Sequence, residues 1–397
     1  MTISTRRDFL KISAGAAFAL GTGLSPSRIL AGQDNTLAIG YLPITDATPL
    51  LIAHARGYFR QEGLNVKRPV RVRSWSTLAE SFSTGKFNLT HMLLPIPIWM
   101  RFNTHAPVKV LAWDHTNGSA LTVSKEGGIA SFADLGGKQI AVPYWYSMHN
   151  VILQMSLKKF GLKPVIRAQS SPLAPNEVNL FILAPSEMPA ALLGKKIDGF
   201  IVAEPFNAIA EMKIGARIMR FTGDIWKNHP CCVVVMHERD SATRPAFTQK
   251  AINAVVRAQL WVTQNPEKAA QILSKDGENY LPASEKTLLR VFTNYKGETY
   301  GKGNTPQAIH HPQWEMARIG FQPYPYPSAT RFITRQLRQT LVAGDNAFLR
   351  KHTIDFMAKD LVDDTYVKNA INSLGGPGKF GVIDIERPWD REEIIEV

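Results

Sequence analysis

The apolar residues between positions 37 and 203 recur as short runs, each followed by polar residues and then by a helical repeat. Short apolar or alternating runs predict buried strands, and apolar residues three or four positions apart predict helices. Six runs are predicted to be strands: Leu37–Leu42, Val66–Val72, Lys86–His91, Val108–Trp113, Lys138–Val142 and Gly199–Ala203. This alternation predicts an α/β fold with parallel strands, whose ligands bind at the carboxyl ends of the strands.

Helical repeats dominate the chain from about residue 244, and the most regular repeat covers Phe247–Thr263. Further helices are predicted over Leu289–Tyr295, Ala329–Leu341 and Ala347–Met357. Earlier in the chain, Thr48 is expected to cap a helix that begins with Pro49, because proline suits the first helical position. The chain is therefore expected to combine α/β units with extra C-terminal helices.

Residues 142–150 join the predicted strand Lys138–Val142 to a predicted helix that ends at Gly161. The N-terminus of a helix presents unpaired backbone N–H groups and the positive end of its dipole, which together favour a small anion. The stretch adds aromatic, hydroxyl and imidazole side chains: Tyr144, Trp145, Tyr146, Ser147 and His149. It is either a ligand-binding loop or a packed connection in which these side chains fill the core.

Other polar and aromatic residues lie at or near the ends of the predicted strands and share the expected ligand-binding edge. They are Thr45, Asp46, Trp75, His91, Met92 and Glu204. Asp46 would repel an anion but would accept a hydrogen bond from a ligand amine. For each residue the alternative is capping or packing, and Glu204 has a further alternative as a buried structural acid beside a hinge.

The composition is that of a globular protein, with 45% hydrophobic and 20% charged residues, and the formal net charge is +13. A charge of this sign is compatible with nucleic acid, an anionic membrane or an anionic ligand. The basic residues are spread along the chain, and no nucleic-acid-binding signature accompanies them. We therefore expect a generally basic surface and no nucleic-acid partner.

The chain has two cysteines, Cys231 and Cys232, which are adjacent. A disulfide between neighbours would be strained, and the Cys and His spacings do not match those typical of zinc sites. We expect two buried thiols, no metal site and no cofactor, with a vicinal redox pair as the alternative.

The N-terminus resembles a twin-arginine export signal. Arg6 and Arg7 precede Phe9-Leu10-Lys11, and a weakly apolar run from Ile12 to Leu24 follows. The run is too short and too rich in glycine and serine to span a membrane well. Residues 1–32 are therefore predicted to be a signal peptide that directs the chain through the Tat translocase to the periplasm.

A set of short motifs occurs in order between residues 57 and 328. The motifs are Gly57-Tyr58-Phe59 with Gly63-Leu64-Asn65-Val66, Leu94-Pro95-Ile96-Pro97, Ser131–Lys138, Ala203-Glu204-Pro205-Phe206, Ile225-Trp226 with His229-Pro230, and Tyr324–Ser328. In this order they resemble motifs of the periplasmic solute-binding proteins of ABC importers, in the longer, nitrate-type branch of the nitrate/sulfonate/bicarbonate (NitT/TauT) family. The resemblance covers roughly residues 36 to 350.

The resemblance implies a two-lobed α/β fold of the type II periplasmic-binding class, which clamps its ligand in a hinge cleft. Nitrate-binding members of the family hold their ligand with a tryptophan, a glutamine, a histidine and a lysine. His149 matches the histidine, but Met92 stands at the tryptophan position and Ser119 at the glutamine position. The lysine has no clear match, and Lys227 is a candidate. The smaller residues at Met92 and Ser119 would admit a ligand larger than nitrate.

On this basis the chain is expected to be a binding protein rather than an enzyme. It is predicted to deliver a small anionic ligand of the nitrate/sulfonate/bicarbonate class to a membrane permease and its ATPase, and to be monomeric. Lobe one is expected to comprise residues 36–116 and 230–397, including the C-terminal helices, and lobe two residues 117–229. Hinge crossings are expected near Thr116 and His229.

Three other readings remain open at this point. The ligand is a larger carboxylate or a pyrimidine-type compound, or the chain is a sensor that docks on a membrane receptor. The third is an enzyme on the same fold, against which stands the lack of a Gly-x-Ser-x-Gly, phosphate-loop or His-Glu-x-x-His motif.

Overall fold

The computed structural model describes residues 35–293, 297–301, 307–381 and 384–397. The expected signal peptide, residues 1–32, lies outside the described residues, as does Tyr295 at the end of one predicted helix. No helix in the described ranges combines the length and the hydropathy that crossing a membrane requires.

The strands in these ranges are short. They are β1 (Thr36–Leu37), β2 (Ile39–Tyr41), β3 (Asn65–Val66), β4 (Val70–Arg71), β5 (Leu89–Leu93), β6 (Val108–Trp113), β7 (Thr116–Asn117), β8 (Ser119–Val123), β9 (Gln139–Val142), β10 (Lys163–Val165), β11 (Glu177–Ile182), β12 (Gly199–Ala203), β13 (Arg217–Phe221), β14 (Cys232–His237) and β15 (Ile319–Gly320). Of these, β2, β5, β7, β8 and β12 are fully buried.

The α-helices flank these strands and fill most of the C-terminal half of the chain. They are α1 (Thr48–Ala55), α2 (Tyr58–Gln61), α3 (Trp75–Ser83), α4 (Pro95–Phe102), α5 (Met148–Lys159), α6 (Met188–Leu193), α7 (Phe206–Ile214), α8 (Glu238–Thr243), α9 (Pro245–Gln264), α10 (Pro266–Leu273), α11 (Glu285–Thr293), α12 (Gly297–Tyr300), α13 (Pro327–Leu337), α14 (Ile354–Leu361) and α15 (Thr365–Ser373).

Two larger sheets organise the fold. A five-stranded sheet has the order β4-β2-β5-β14-β6, and a six-stranded sheet has the order β10-β11-β9-β12-β8-β13. Most neighbours in the six-stranded sheet are parallel, as the alternation of strands and helices predicts. The predicted α/β class is confirmed.

Strands β8 and β14 are the exceptions to the predicted parallel order, because both run antiparallel to their neighbours. The chain passes from β6 through β7 to β8, and returns from β13 to β14, with no α-helix in either connection. A parallel connection needs a crossover that carries the chain back along the sheet, usually a helix. Because these two connections lack such a crossover, β8 and β14 each begin at the end of the sheet where the preceding strand finished. They therefore run antiparallel to their neighbours.

Two predicted strands differ in extent from the observed ones. The run Val66–Val72 is split into β3 and β4, because Pro69 has no N–H to donate to a ladder. Strand β5 begins at Leu89 and extends to Leu93, so His91 and Met92 lie within the strand rather than at its end. Side chains alternate along a strand, so these two residues face opposite sides of the sheet.

Helix boundaries also differ locally. Thr48 does not cap α1, because Ala47 occupies the cap position and the Thr48 hydroxyl donates to the Thr45 carbonyl oxygen at 2.6 Å. The predicted helix Ala347–Met357 is divided into a single 3₁₀ turn and the separate helix α14.

The segment between β13 and β14 is bonded to residues near position 395. Lys227 N–H donates to the Ile394 carbonyl oxygen at 3.0 Å, and Glu396 N–H donates to the Ile225 carbonyl oxygen at 2.8 Å. The indole N–H of Trp226 donates to Glu393 Oε2 at 2.7 Å. The C-terminal tail is therefore an added layer against the connection between the sheets.

Candidate functional site

A group of buried polar side chains lies where the two sheets meet. We call it the polar cluster; each member is at most 2% exposed, and the members are Asp46, His91, Asp114, His115, Ser119, His149, Cys231 and Cys232. The six-stranded sheet and α5 supply Ser119 and His149, and the other members come from the five-stranded sheet and the connections beside it.

Asp46 makes most of the contacts inside the polar cluster. It lies in a 3₁₀ turn between β2 and α1, and its Oδ2 is 2.9 Å from His115 Nε2. The Sγ atoms of Cys232 and Cys231 lie 3.1 and 3.8 Å from the same oxygen. One carboxylate oxygen therefore brings together residues that are up to 186 positions apart in sequence.

His149 connects the six-stranded sheet to this group. Ser147 caps α5 by accepting a hydrogen bond from Asn150 N–H at 3.0 Å, which fixes the first helical turn. His149, in that turn, places its Nε2 2.9 Å from Ser119 Oγ. Ser119 Oγ is in turn 3.9 Å from Cys231 Sγ, so the contacts continue across both sheets.

Asp46 and His115 form the closest ion pair of the polar cluster, at 2.9 Å, and His91 Nδ1 lies 3.9 Å from Asp114 Oδ2. Burial by itself raises the pKa of Asp46, but the attraction of His115 outweighs it and the pKa lies below its ordinary value. Burial by itself lowers the pKa of His115, but Asp46 raises it well above its ordinary value. Asp46 is therefore ionised and His115 protonated, and their charges cancel.

The remaining titratable members with resolved shifts are mostly neutral. Burial lowers the pKa of His91 and of His149 to about 4. Burial raises the pKa of Asp114 well above its ordinary value, which favours the protonated form of its carboxyl group. Burial also raises the pKa of the Cys232 thiol, whereas hydrogen bonds from Cys232 and His115 outweigh burial at Cys231 and lower its pKa. Both cysteines are buried and free, as predicted.

Several polar atoms of the cluster have no hydrogen-bond partner within the described part of the chain. They are Asp46 Oδ1, both carboxyl oxygens of Asp114, and the Nδ1 atoms of His91, His115 and His149. Buried polar atoms are normally satisfied, so a concentration of exceptions calls for an explanation. The cluster has hydrogen-bonding capacity that the protein itself does not use.

The proton positions on two of these rings can be assigned. Leu42 N–H donates to His91 Nε2 at 3.0 Å, so the neutral His91 ring carries its proton on Nδ1. His115 Nε2 lies 2.9 Å from Asp46 Oδ2 and 3.3 Å from Cys232 N, so both contacts of this ring are made by Nε2 and its Nδ1 carries a proton. The unpartnered Nδ1 atoms of His91 and His115 are therefore hydrogen-bond donors.

Thr45 and Glu204 form a second contact between the sheets. Thr45 N–H and Thr45 Oγ1 both donate to the Glu204 backbone carbonyl oxygen, at 2.9 and 3.1 Å. The Glu204 carboxylate is buried against Arg318, whose Nε and Nη2 both donate to its Oε1, and its Oε2 accepts from Ala208 N–H at 3.0 Å. The contacts of Glu204 fit its alternative as a structural acid.

Comparison with known proteins identifies the family of this chain. The model of the NMT1-like family matches residues 31–274, which is more than half of the chain. The chain belongs to the NMT1-like family.

Known relatives of this NMT1-like chain serve nitrate transport. It is 27% identical over 392 residues to the nitrate/nitrite binding protein NrtA of Nostoc sp. strain PCC 7120, with 90% of this chain and 80% of that protein covered. It is 28% identical over 229 residues to the nitrate import ATP-binding protein NrtC of Synechocystis sp. strain PCC 6803, where 56% of this chain matches 34% of that protein. This chain therefore spans about a third of that ATP-binding relative.

The fold is shared with a solved binding protein. The structure of the periplasmic nitrate-binding protein NrtA from Synechocystis PCC 6803 aligns with a TM-score of 0.73 and 18% identity, covering 91% of this chain and 94% of that one. The predicted periplasmic binding protein fold is confirmed. The relatives also confirm the prediction of a transport binding protein family rather than an enzyme family.

The family positions named in the sequence analysis come together only in part. Met92, Ser119 and His149 are all buried, and the last two are hydrogen-bonded to each other. Met92 pairs with Val233 across β5 and β14, beside the two cysteines. Lys227, in contrast, has its ammonium 5.9 Å from the ring of Trp314. It lines a separate cavity of about 620 Å³ beside the C-terminal tail.

The predicted aromatic residues differ in their relation to the cluster. Trp75 packs edge-on against His91, with 5.5 Å between the ring centroids, and its indole N–H has no hydrogen-bond partner among the residues that the structure describes. Tyr144 and Trp145 are half-buried against the hydrophobic core. The Trp145 carbonyl oxygen accepts a hydrogen bond from the Asn150 side chain at 2.9 Å, so this loop is tied to the first turn of α5.

Four members of the polar cluster were not among the predicted site residues: Asp114, His115, Cys231 and Cys232. Asp114 and His115 directly follow β6 and satisfy the same strand-end rule that identifies Asp46. The cysteines lie at the start of β14, where a strand entering from the ligand-binding edge places its first residues. The cysteines were not predicted as site residues because the sequence does not indicate that β14 runs antiparallel to β5 and β6.

Proposed function

We propose that this chain is the periplasmic solute-binding protein of an ABC importer and that its ligand binds at the polar cluster. The observation that carries the proposal is the set of unpartnered buried atoms, of which His149 Nδ1 comes from α5 beside the six-stranded sheet and the others come from the five-stranded sheet and the connections beside it. A ligand that joins two lobes must contact both, and it binds tightly where its polar groups meet preplaced partners in a dry site.

The proposed movement is a hinge closure of two lobes, residues 36–116 with 230–397 and residues 117–229. The sheet composition supports this division, because the five-stranded sheet contains β2, β4, β5, β6 and β14 while the six-stranded sheet contains β8 to β13. The two connections between the sheets, around Thr116 and His229, are the proposed hinges. Contacts such as Thr45 to Glu204 would form on closure.

The proposed ligand is a small oxyanion of the nitrate, sulfonate or bicarbonate class. The ion pair of Asp46 and His115 is neutral as a unit, so the Asp46 charge does not by itself exclude an anion. The protonated carboxyl of Asp114 and the Nδ1 protons of His91 and His115 are donors, and hydrogen bonds to an anion are strong in a dry site. The names of the relatives, which are nitrate-binding proteins, support the same class.

A thermal-shift panel tests the proposal, with nitrate, bicarbonate, alkylsulfonates, aromatic carboxylates and pyrimidines as ligands. A ligand at 100 times its Kd should stabilise the protein by about 2.7 kcal/mol. The variant His149→Ala should then weaken binding of the positive ligand at least tenfold, about 1.4 kcal/mol. His310→Gln, at an exposed histidine outside the cluster, is the matched control.

The outcomes separate the readings. If only carboxylates or pyrimidines stabilise the protein, the proposed small oxyanion is wrong and the ligand is one of these larger compounds. No response from any compound, or an unchanged Kd in His149→Ala, would overturn the assignment of the ligand site to the polar cluster.

The proposed route to the periplasm is the twin-arginine pathway, through residues 1–32. Its support is the order of Arg6-Arg7, Phe9-Leu10-Lys11 and the weakly apolar run. The double variant Arg6→Lys/Arg7→Lys should leave the protein in the cytoplasm, as measured by cell fractionation. Normal export of this variant would refute the route without affecting the ligand assignment.

A further inference from the structure

Two sulfur atoms, an imidazole nitrogen and a carboxylate oxygen converge inside the polar cluster. These ligand-type atoms of Asp46, His115, Cys231 and Cys232 all lie within 4.8 Å of one another. All four residues have 0% exposure. The proposed oxyanion site uses Nδ1 of His115, whereas these contacts involve its Nε2.

The arrangement does not match a cysteine nucleophile activated by a histidine and an aspartate. In such a relay the carboxylate holds one ring nitrogen and the other ring nitrogen accepts the proton of the nucleophile. Here Asp46 Oδ2 lies 2.9 Å from His115 Nε2, the nitrogen that also faces the cysteines, and His115 Nδ1 has no partner. Atoms that converge on a common point are instead typical of coordination to one ion.

We propose that Asp46, His115, Cys231 and Cys232 bind a divalent transition-metal ion of the zinc class. Thiolate, imidazole and carboxylate are the ligand types that zinc selects, and four of them complete a tetrahedral site. Binding of the ion would displace the Nε2 proton of His115 and the two thiol protons, which are released to the solvent. Ligand atoms at ordinary zinc distances are separated from one another by about 3.3–3.8 Å. The separations from Asp46 Oδ2 are 2.9 Å to His115 Nε2 and 3.1 and 3.8 Å to the two sulfur atoms, close to that range.

The adjacency of the cysteines explains why sequence spacing does not indicate this site. In an extended strand neighbouring side chains point to opposite faces. β14 begins only at Cys232, and Cys231 precedes it in the connection from β13. Both sulfur atoms therefore reach the same carboxylate oxygen, and the remaining two ligands come from the ends of β2 and β6.

The other cluster members surround the proposed metal site. Ser119 Oγ lies 3.9 Å from Cys231 Sγ and links this ligand to His149. Because all four ligands are fully buried, an ion can reach them only when the surrounding elements separate. Metal uptake should therefore be slower than diffusion and should follow the same opening that the proposed function requires.

Titration of chelator-treated, reduced protein with Zn²⁺ and Co²⁺ tests the proposal. We expect one equivalent of Zn²⁺ to bind by calorimetry, and Co²⁺ to give the intense visible bands of a tetrahedral site together with thiolate-to-cobalt charge transfer. The chain has only two cysteines, so a thiolate signal can arise only from Cys231 and Cys232. Cys231→Ser/Cys232→Ser should abolish the charge transfer and weaken Zn²⁺ binding at least 100-fold, whereas His310→Gln should change neither.

The controls make each outcome decisive. If the double serine variant loses its native far-UV circular dichroism, Asp46→Asn provides the second test and should weaken Zn²⁺ binding at least tenfold. Absence of Zn²⁺ binding by the native protein, or a cobalt spectrum retained in the double serine variant, would overturn the metal site. The ligand panel, repeated with and without chelator, reports separately on the proposed function: an oxyanion response without metal binding removes only this inference.

Discussion

The buried pair of Glu204 and Arg318 allows a quantitative test of how the sheets are held together. The Arg318 side chain is 1% exposed, and its Nε donates to Glu204 Oε1 at 2.8 Å. Arg318→Met removes the positive charge and leaves a buried carboxylate without its partner. Breaking a buried pair from one side costs about 3–5 kcal/mol, most of which is the penalty for the remaining charge.

The double variant Glu204→Gln/Arg318→Met separates this penalty from lost packing. Glutamine retains a carbonyl oxygen that can accept from Ala208 N–H, and methionine packs favourably against the rings of Phe221 and Tyr300, which face the guanidinium at 5.0 and 5.7 Å. Replacing both charges by neutral groups of similar size is often close to neutral. We therefore expect the double variant to be more stable than Arg318→Met alone by about 2 kcal/mol or more.

The pH dependence provides a second readout. Burial raises the pKa of Glu204 despite the opposing effect of Arg318, so removing Arg318 must raise it further. A carboxyl group whose pKa is higher in the folded than in the unfolded state loses stability as pH rises through that range. The cost of Arg318→Met should therefore be smaller near pH 5 than near pH 8.

Urea denaturation of the native protein, Arg318→Met, Glu204→Gln and the double variant, at both pH values, measures these free energies of unfolding. Equal costs for Arg318→Met and the double variant would show that the charge left on Glu204 is not the source of instability. A cost that does not change with pH would contradict the expected rise in the pKa of Glu204 when Arg318 is removed.

Two further predictions concern the strand core and the histidines. Gly40→Ala should destabilise the protein by about 1–3 kcal/mol in urea denaturation, because a Cβ atom there would lie 2.2 Å from the buried Phe87 ring. Gly127→Ala is the control: its Cβ would lie 3.5 Å from the nearest atom, so it should change stability by less than about 0.5 kcal/mol. For His149 the pKa falls from 6.5 to about 4 on folding, so the unfolded state takes up the proton first and stability is lost as pH decreases from about 6.5 towards 4. His149→Gln should reduce that acid loss by up to about 3 kcal/mol, and the same slope in variant and native protein would contradict the assigned neutral state.

Much of the fold could be predicted from local patterns. The runs Val108–Trp113 and Gly199–Ala203 coincide with β6 and β12, because a short, mostly apolar run bounded by polar residues has few alternatives to a buried strand. The extent of β5 was less predictable, since Asn88 lies outside the strand and uses its side-chain oxygen to accept from Ala38 N–H at 2.9 Å. A hydrogen bond from a backbone N–H to a side chain, in place of one to a neighbouring strand, does not alter the pattern of apolar residues. The sequence pattern therefore does not show where β5 begins.

The site could be predicted only where strand ends determine it. Asp46 and His149 follow from the rule that polar residues after parallel strands share one edge, and Ser119 follows from the family resemblance. Cys231 and Cys232 could not be related to Asp46, because their proximity depends on β14 inserting between β5 and β6 in the opposite direction. That insertion depends on long-range pairing, which no local window contains.

The C-terminal tail has a consequence for the timing of synthesis. The bond from Trp226 to Glu393 joins residues 167 positions apart, and Lys227 and Ile225 depend on the same late segment. While the ribosome is still translating the region before residue 393, the connection between the sheets has no partner for these groups. Such distant contacts form late and slow the final folding step. The nascent chain can therefore form its sheets during translation, but it can complete the connection between them only after the tail emerges.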